Sequence, residues 1–268
     1  MLLEDKVAVV YGAGGAVGSA VAQVLAREGA EVFLAGRTRV KLDRAAEAVE
    51  ASGRRRAQVA TVDALDEDDV GRHLDSVLNV AGRVDISVNA VGFDNGEQGI
   101  PLTDLTADDY CRPIAEYTRT HFVTAKAAGR QMVAQRRGVI IALSNPMAKA
   151  PAALSGCFGQ YAAAVEGLAT QLAAELGPDG VRSLCLRPTG MPASALEHDS
   201  APGRMWRRAA ERFGIGIDEL LETIGGGTLS GEPVSTGDVA EAAAFVASDR
   251  AKGLTGTVIN VTGGAVAD

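Results

Sequence analysis

The residues most ready for chemistry come early. Gly12-Ala13-Gly14-Gly15-Ala16-Val17-Gly18 sits between a short apolar run, Val7 to Tyr11, and an Ala/Val/Leu-rich stretch from Ala16 to Gly29. Glycines let a backbone turn sharply and approach a ligand closely. A helix that starts there presents free N–H groups and a positive dipole end, which suits a pyrophosphate. A glycine cluster alone is a weak signal, and its place between a first strand and a first helix strengthens it. At the end of the second apolar run stands Gly36-Arg37-Thr38-Arg39. A carboxylate there would bond both ribose hydroxyls and repel a 2′-phosphate. Arg37 offers a planar cationic fork and Thr38 a hydroxyl, so the residues favour NADP(H) over NAD(H). The alternative is that Arg37 only stacks on adenine or faces solvent.

The elements that must position these residues alternate regularly. Strand-like runs are Val7–Tyr11, Glu31–Ala35, Ala57–Val62, Asp85–Asn89, Gly138–Ser144, Val181–Arg187 and Thr257–Val261. Helical patterns fall between them at 16–29, 40–52, 66–80, 105–136 and 158–176. Strands that are nearly all apolar and alternate with helices predict a parallel sheet covered on both faces. The expected architecture is one α/β domain over 1–268, a doubly wound Rossmann sheet of about seven strands. One region breaks the rhythm. Residues 193–233 are polar and Gly-rich, with short helices expected at Met205–Phe213 and Ile217–Ile224. Such an excursion reads as a lid on the substrate side, and the plainer account is a surface insertion.

Composition narrows the classes. With 47% hydrophobic and 22% charged residues, a sizeable core is affordable. A net charge of −8 argues against a nucleic-acid footprint. Arg54-Arg55-Arg56 reads as a solvated helix end or loop. Cys111, Cys157 and Cys185 are odd in number and widely spaced, so they are expected to pack as small residues in a reducing cytoplasm. His73, His121 and His198 have no ligand set near them, so no metal site is expected. The chain shows neither a leader pattern nor an apolar run near the roughly 18 residues of a membrane span.

The motifs together resemble the short-chain dehydrogenase/reductase family. Its T-G-x-x-x-G-x-G pattern is met by Tyr11-Gly12-Ala13-Gly14-Gly15-Ala16-Val17-Gly18, with Ala16 at the middle glycine. Asp63, beside Ala64, matches the family's adenine-ring Asp. Asn89-Ala90-Val91-Gly92 is similar to the N-N-A-G turn, with Val88 and Asn89 at the two Asn positions. Residues 253–264 resemble the closing strand and turn. Pro188-Thr189-Gly190 stands where the family has P-G beside the nicotinamide, and the bulk of Thr189 crowds that border. The resemblance runs from residue 5 to about 264. It implies a dinucleotide held by Gly12, Gly14, Gly15, Ala16, Val17, Gly18, Arg37, Thr38, Asp63, Ala64, Asn89, Ala90, Gly92 and Pro188. It also implies a small-molecule substrate and a homodimer or homotetramer built on the two long helices.

The family's chemistry needs a tyrosine, a lysine four residues later, a serine thirteen residues before the tyrosine, and an asparagine in the preceding helix. The stretch Ala164-Val165-Glu166-Gly167-Leu168 fixes the register, because it matches the family's text after Y-x-x-x-K. The tyrosine position then falls on Phe158, the lysine on Ala162, the serine on Asn145 and the asparagine on Tyr117. Phe158 can neither donate nor accept a proton. General acid catalysis is typically worth roughly 10²–10⁴ in rate, so the family's carbonyl reduction is not expected here. A rival register makes Tyr161 the acid, with Val165 at the lysine position. Other substitutes are Tyr117, with His121 four residues on along the same helix face, and Asn145 with the adjacent Ser144. Lys149, in the loop that follows, is expected to be solvated. For each the plainer account is packing or an interface. The expectation is therefore a divergent oxidoreductase with a degenerate active site, acting on a small carbonyl or enone. The alternatives are a non-redox cyclase, dehydratase or isomerase, and an inactive relative that binds dinucleotide or an active homologue. Trp206, with Arg204, Arg207 and Arg208 around it, offers contacts for an anionic or aromatic group, although a helix lying on the surface accounts for it equally.

Overall fold

The computed structural model describes residues 1–52, 57–94, 96–192 and 201–267. Arg54-Arg55-Arg56, His198 and the first part of the expected lid lie outside the described residues.

Each strand forms where β-branched and apolar residues run together, and each helix where the apolar period lengthens. The chain order is β1 (Val7–Tyr11), α1 (Ala16–Arg27), β2 (Glu31–Gly36), α2 (Arg39–Ala51), β3 (Gln58–Thr61), α3 (Glu67–Ala81) and β4 (Ile86–Asn89). It continues with α4 (Ala107–Gln135), β5 (Gly138–Leu143), α5 (Phe158–Leu176), β6 (Val181–Pro188), α6 (Ala201–Phe213), α7 (Ile217–Gly225), α8 (Thr236–Ala247) and β7 (Val258–Val261). The seven strands form one sheet in the order β3-β2-β1-β4-β5-β6-β7. All the pairings are parallel. This is the doubly wound Rossmann-like fold that strand–helix alternation predicts.

Alternate residues of each strand feed two layers, as the period of two requires. Ala8 and Val10 of β1 pack with α1, α2 and α8 on one face. Val7, Val9 and Tyr11 pack with α3 and α4 on the other. β1 registers Tyr11 against Ala35 of β2 and against Asn89 of β4, so all three strands end at the same level. Strand order reverses beside β1, and the crevice outside the carboxyl ends of β1 and β4 is where such sheets bind ligands.

Two points correct the expectations. Helix α8 has no counterpart among the helices read from the sequence. Its inner face is Val239, Ala240, Ala243, Ala244, Val246 and Ala247, small residues whose apolar pattern has little contrast. A capping box of Ser235 and Asp238 starts it, and that signal was there to be read. Second, Cys157 and Cys185 are buried as expected, but Cys111 is exposed on α4.

Candidate functional site

The turn between β1 and α1 has the shape the glycines allow. Gly12 takes a positive φ of 76°, and a Cβ there would collide with the Ala90 carbonyl oxygen. A Cβ on Gly18 would collide with the Gly12 carbonyl oxygen. These two glycines let the turn, α1 and the β4 loop approach one another. Gly92 is different, because a Cβ there would meet nothing within 4 Å. The N-cap of α1, Gly15, makes no side-chain cap bond, and the first turn carries no acidic residue. Its N–H groups therefore remain suited to an anion.

A cleft of about 250 Å³ runs from this turn along the carboxyl ends of the strands. Its walls include Gly12, Gly14, Gly15, Arg37, Thr38, Asp63, Ala64 and Gly92 of the expected set. They also include Lys41, Phe93, Thr120 and, from α6, Ala201, Pro202 and Arg204. Thr38 caps α2 with its backbone and makes no side-chain cap bond, which leaves its hydroxyl for a ligand. The Arg37 guanidinium lies 6.0 Å from the centroid of the Phe93 ring, across the cleft from β2. Ala16 lines a neighbouring open cavity of about 1140 Å³ between α1 and α7. Asn89 braces the site from behind. Its Nδ2 donates to Thr124 Oγ1 at 3.0 Å, and its Oδ1 accepts from the Val91 N–H at 3.0 Å. Val17, Gly18, Ala90 and Pro188 are likewise not part of the cleft wall. The chain thus offers a glycine turn, an uncapped helix start, a cationic fork and the Asp63 carboxylate along one cleft, a set of groups that fits a dinucleotide.

At the catalytic positions the structure brings the expected residues together. Phe158 opens α5, and its ring centroid is 5.2 Å from that of Tyr161. Tyr161 lies 4.4 Å from Tyr117, and Tyr117 lies 4.6 Å from His121. The Tyr117 hydroxyl points inward and donates to the Leu143 carbonyl oxygen at 2.9 Å. His121 Nδ1 sits 3.0 Å from the Tyr117 carbonyl oxygen, so its contact is with that residue's backbone, not with its phenol. Burial holds His121 neutral, with its pKa lowered to about 4. Burial also raises both phenols above their ordinary value. Asn145 ties its loop to α5: Oδ1 accepts from the Met147 N–H at 2.9 Å, and Nδ2 donates to the Phe158 carbonyl oxygen at 3.2 Å. Ala162 is fully buried, and Lys149 is exposed.

Above this cluster the space is filled. Phe158 packs against the group formed by Met205, Trp206 and Leu221 of α6 and α7. Gly190, after β6, faces Ile224 and Trp206. Below it lies a pair that the sequence reading missed, Glu166 of α5 and Arg187 of β6, with Ser144 Oγ donating to Glu166 Oε1 at 2.8 Å. Sequence alone offered one hint, Arg187 directly after the apolar Leu184-Cys185-Leu186 of β6.

The relatives agree with this geometry. Residues 12–266 match the family model described as enoyl-(acyl carrier protein) reductase. Tropinone reductase-like 2 of Erythroxylum coca is 32% identical over 265 residues, covering 98% of this chain and 90% of that protein. A solved short-chain type dehydrogenase/reductase from Mycobacterium ulcerans is 27% identical, with a TM-score of 0.81, covering 99% of this chain and 91% of that one. NAD⁺-bound xylitol dehydrogenase superposes with a TM-score of 0.85 over 97% of this chain and 99% of its own, at 22% identity, which speaks for the fold alone. The chain belongs to the short-chain dehydrogenase/reductase family. That family of oxidoreductases uses nicotinamide dinucleotides and acts on small molecules. Among the described residues, no helix is long and apolar enough to cross a membrane.

Proposed function

We propose that this chain is a cytoplasmic, NADP(H)-preferring oxidoreductase of the family that works without the family's Tyr–Lys pair. One observation carries the reading. The family's tyrosine and lysine positions on α5 hold Phe158 and the buried Ala162, neither of which carries a proton to give, while the nearest phenols, Tyr117 and Tyr161, are buried and that of Tyr117 is hydrogen-bonded to the Leu143 carbonyl oxygen. The preference for NADP(H) draws support from Arg37, Thr38 and Lys41 at the adenosine end. In this reading the chain is one domain, α6 and α7 serve as its lid, and it assembles as a homodimer or homotetramer.

The bound dinucleotide would supply hydride chemistry, and this chain supplies binding, orientation and exclusion of water. Gly12, Gly14 and Gly15 would hold the pyrophosphate, Arg37 and Thr38 the 2′-phosphate, and Asp63 the adenine. Among the described residues, none at the family's catalytic positions is free to deliver a proton to a carbonyl oxygen. That disfavours simple ketones, whose reduction leaves a strongly basic alkoxide. An enone suits the site better, because its reduction leaves a less basic, delocalised enolate that water can protonate. The test combines two measurements. Thermal-shift titration should show stabilisation by NADP(H) beyond that by NAD(H), about 2.7 kcal/mol at roughly a hundredfold excess over Kd. Turnover followed by loss of dihydronicotinamide absorbance should be seen with enones and not with matched saturated ketones. Ketone reduction at family-like rates would sink the reading.

A second reading has its own support. Trp206 and Ile224 fill the space over Phe158 and Gly190, where a substrate would need room. A chain that binds dinucleotide and turns over nothing, as a sensor or a partner of an active homologue, predicts the same thermal shift with no absorbance change on either panel.

A further inference from the structure

Two buried polar atoms meet in one small chamber away from the cleft. Among the described residues, His121 Nε2 and Ser183 Oγ have no hydrogen-bond partner. The two residues are 2% and 1% exposed. Both line a chamber between α4, α5 and the middle of the sheet, together with Ser87, Asn89, Thr124 and Leu168. The register of the sheet brings its floor together. Ser87 of β4 stands opposite Ile140 of β5, and Ile140 opposite Ser183 of β6. Side chains in such a row share one face. It is the face that α4 covers, since Ile140 packs with Val123, Ala125 and Ala128. His121 enters the same layer from α4.

The lining selects its occupant. Asn89 and Thr124 bond each other, and Thr124 Oγ1 also donates to the Thr120 carbonyl oxygen at 2.8 Å. His121 Nδ1 faces the Tyr117 carbonyl oxygen. A carbonyl oxygen only accepts, so Nδ1 carries the hydrogen, and Nε2 of the neutral ring is a bare acceptor. A serine hydroxyl both donates and accepts. The lining holds no carboxylate, lysine or arginine, so it matches neither a cation nor an anion. About 10 Å³ is open to the centre of a water-sized molecule, close to the roughly 10–15 Å³ that one water needs. A single neutral molecule with both a donor and an acceptor fits, and it relieves two buried atoms that are costly to leave unpaired.

We propose that this chamber is a binding site for one structural water, which donates to His121 Nε2 and accepts from Ser183 Oγ, and so joins α4 to β6. Its two anchors lie four residues after Tyr117 and four before Arg187. The bridge holds His121 in the tautomer that bonds the Tyr117 backbone. It makes the ring a brace for α4 rather than a proton partner of the Tyr117 phenol. The site is independent of the dinucleotide reading.

A high-resolution crystal structure of the wild-type chain at neutral pH should show a solvent peak within about 3.2 Å of both atoms. A Ser183 hydroxyl rotated to bond His121 directly, or no peak between the two, overturns the proposal. Stability gives a second test. Ser183→Val fills the chamber and removes the hydroxyl, which displaces the water and strands Nε2. Its denaturant midpoint should fall below that of the wild type. In a His121→Phe background there is no acceptor to strand, so the same change should lower the midpoint by less. In a dry chamber the added methyl groups would only gain contacts, or crowd their neighbours, equally in both backgrounds. A midpoint that holds or rises in Ser183→Val, or that falls equally in the two backgrounds, overturns the proposal.

Discussion

Arg187 of β6 grips both carboxylate oxygens of Glu166 on α5, with Nε to Oε1 at 2.8 Å and Nη2 to Oε2 at 2.9 Å. The Arg187 side chain is 1% exposed and that of Glu166 11%. The pair sits under the catalytic positions, because Arg187 precedes Pro188 and Glu166 lies one turn after Ala162. Taking two charges out of water is costly, and such a pair is weak evidence of net stabilisation, but removing one partner strands the other. Glu166→Leu should therefore cost about 3–5 kcal/mol, read as a lower denaturant midpoint. The double change Glu166→Leu with Arg187→Met should recover most of that loss. If the double variant is as unstable as the sum of the two single ones, the residues are not coupled and the pair is not what joins α5 to β6.

Tyr117 tests whether a relocated acid is at work. Its hydroxyl donates to the Leu143 carbonyl oxygen inside the protein. Tyr117→Phe removes one buried bond and strands that acceptor, which should cost about 1–3 kcal/mol. Whatever turnover the wild type shows should persist in the variant at saturating substrate. A fall of a hundredfold or more in kcat with the fold intact would make Tyr117 the proton donor after all.

The glycines divide into two kinds with separable effects. Gly12 holds a positive φ and abuts the Ala90 carbonyl oxygen, so Gly12→Ala should cost more than about 2 kcal/mol in stability even without ligand. Gly92 faces open space at the cleft wall. Gly92→Val should leave the thermal midpoint of the free protein nearly unchanged and weaken dinucleotide binding about tenfold or more. Unchanged binding in Gly92→Val, with Gly12→Ala behaving as expected, would show that the ligand lies elsewhere in the cleft.

How far the sequence could be read follows from the type of signal. The strands were legible because Val7–Tyr11 is a short apolar run bounded by turns and Val181–Arg187 has an apolar centre in Leu184-Cys185-Leu186. The positions of Phe158 and Ala162 were legible because the text after them fixes a register. Helix α8 was not, since its alanines give little contrast between faces and only Ser235 and Asp238 mark its start. Phe93 and Glu166 carry no local mark of their place, and the sequence marks Arg204 only as one of the arginines around Trp206. Arg204 reaches the cleft only because Arg208 and Arg212 dock α6 on the loop after Phe93. Glu166 has a partner 21 residues away on a neighbouring strand. Contacts of that kind belong to the tertiary structure and leave no periodicity in the chain.

Acid should act on this protein first through its buried histidines. Desolvation lowers His121 to about 4, with the Tyr117 carbonyl opposing that shift, and lowers His73 to about 4, with Asp69 opposing it. Both rings are neutral in the fold at neutral pH. The unfolded chain takes up their protons near the ordinary value of 6.5, so it binds more protons than the fold between about pH 6.5 and 4, and stability rises with pH across that window. The stabilising contribution is complete above about pH 6.5 and is lost as pH falls toward 4. At about 1.4 kcal/mol per pH unit, each site would give up as much as roughly 3 kcal/mol. Asp238, held low mainly by its hydrogen bonds to Ser235, adds a loss that begins only near the ordinary carboxylate range, at the acid end of that window. Denaturant melts from about pH 7 down to about pH 5 should show a falling midpoint, and a His73→Phe, His121→Phe double variant should show a flatter profile over the same span. A wild-type midpoint that does not move between those two pH values would mean that the rings are solvated well enough to protonate in place.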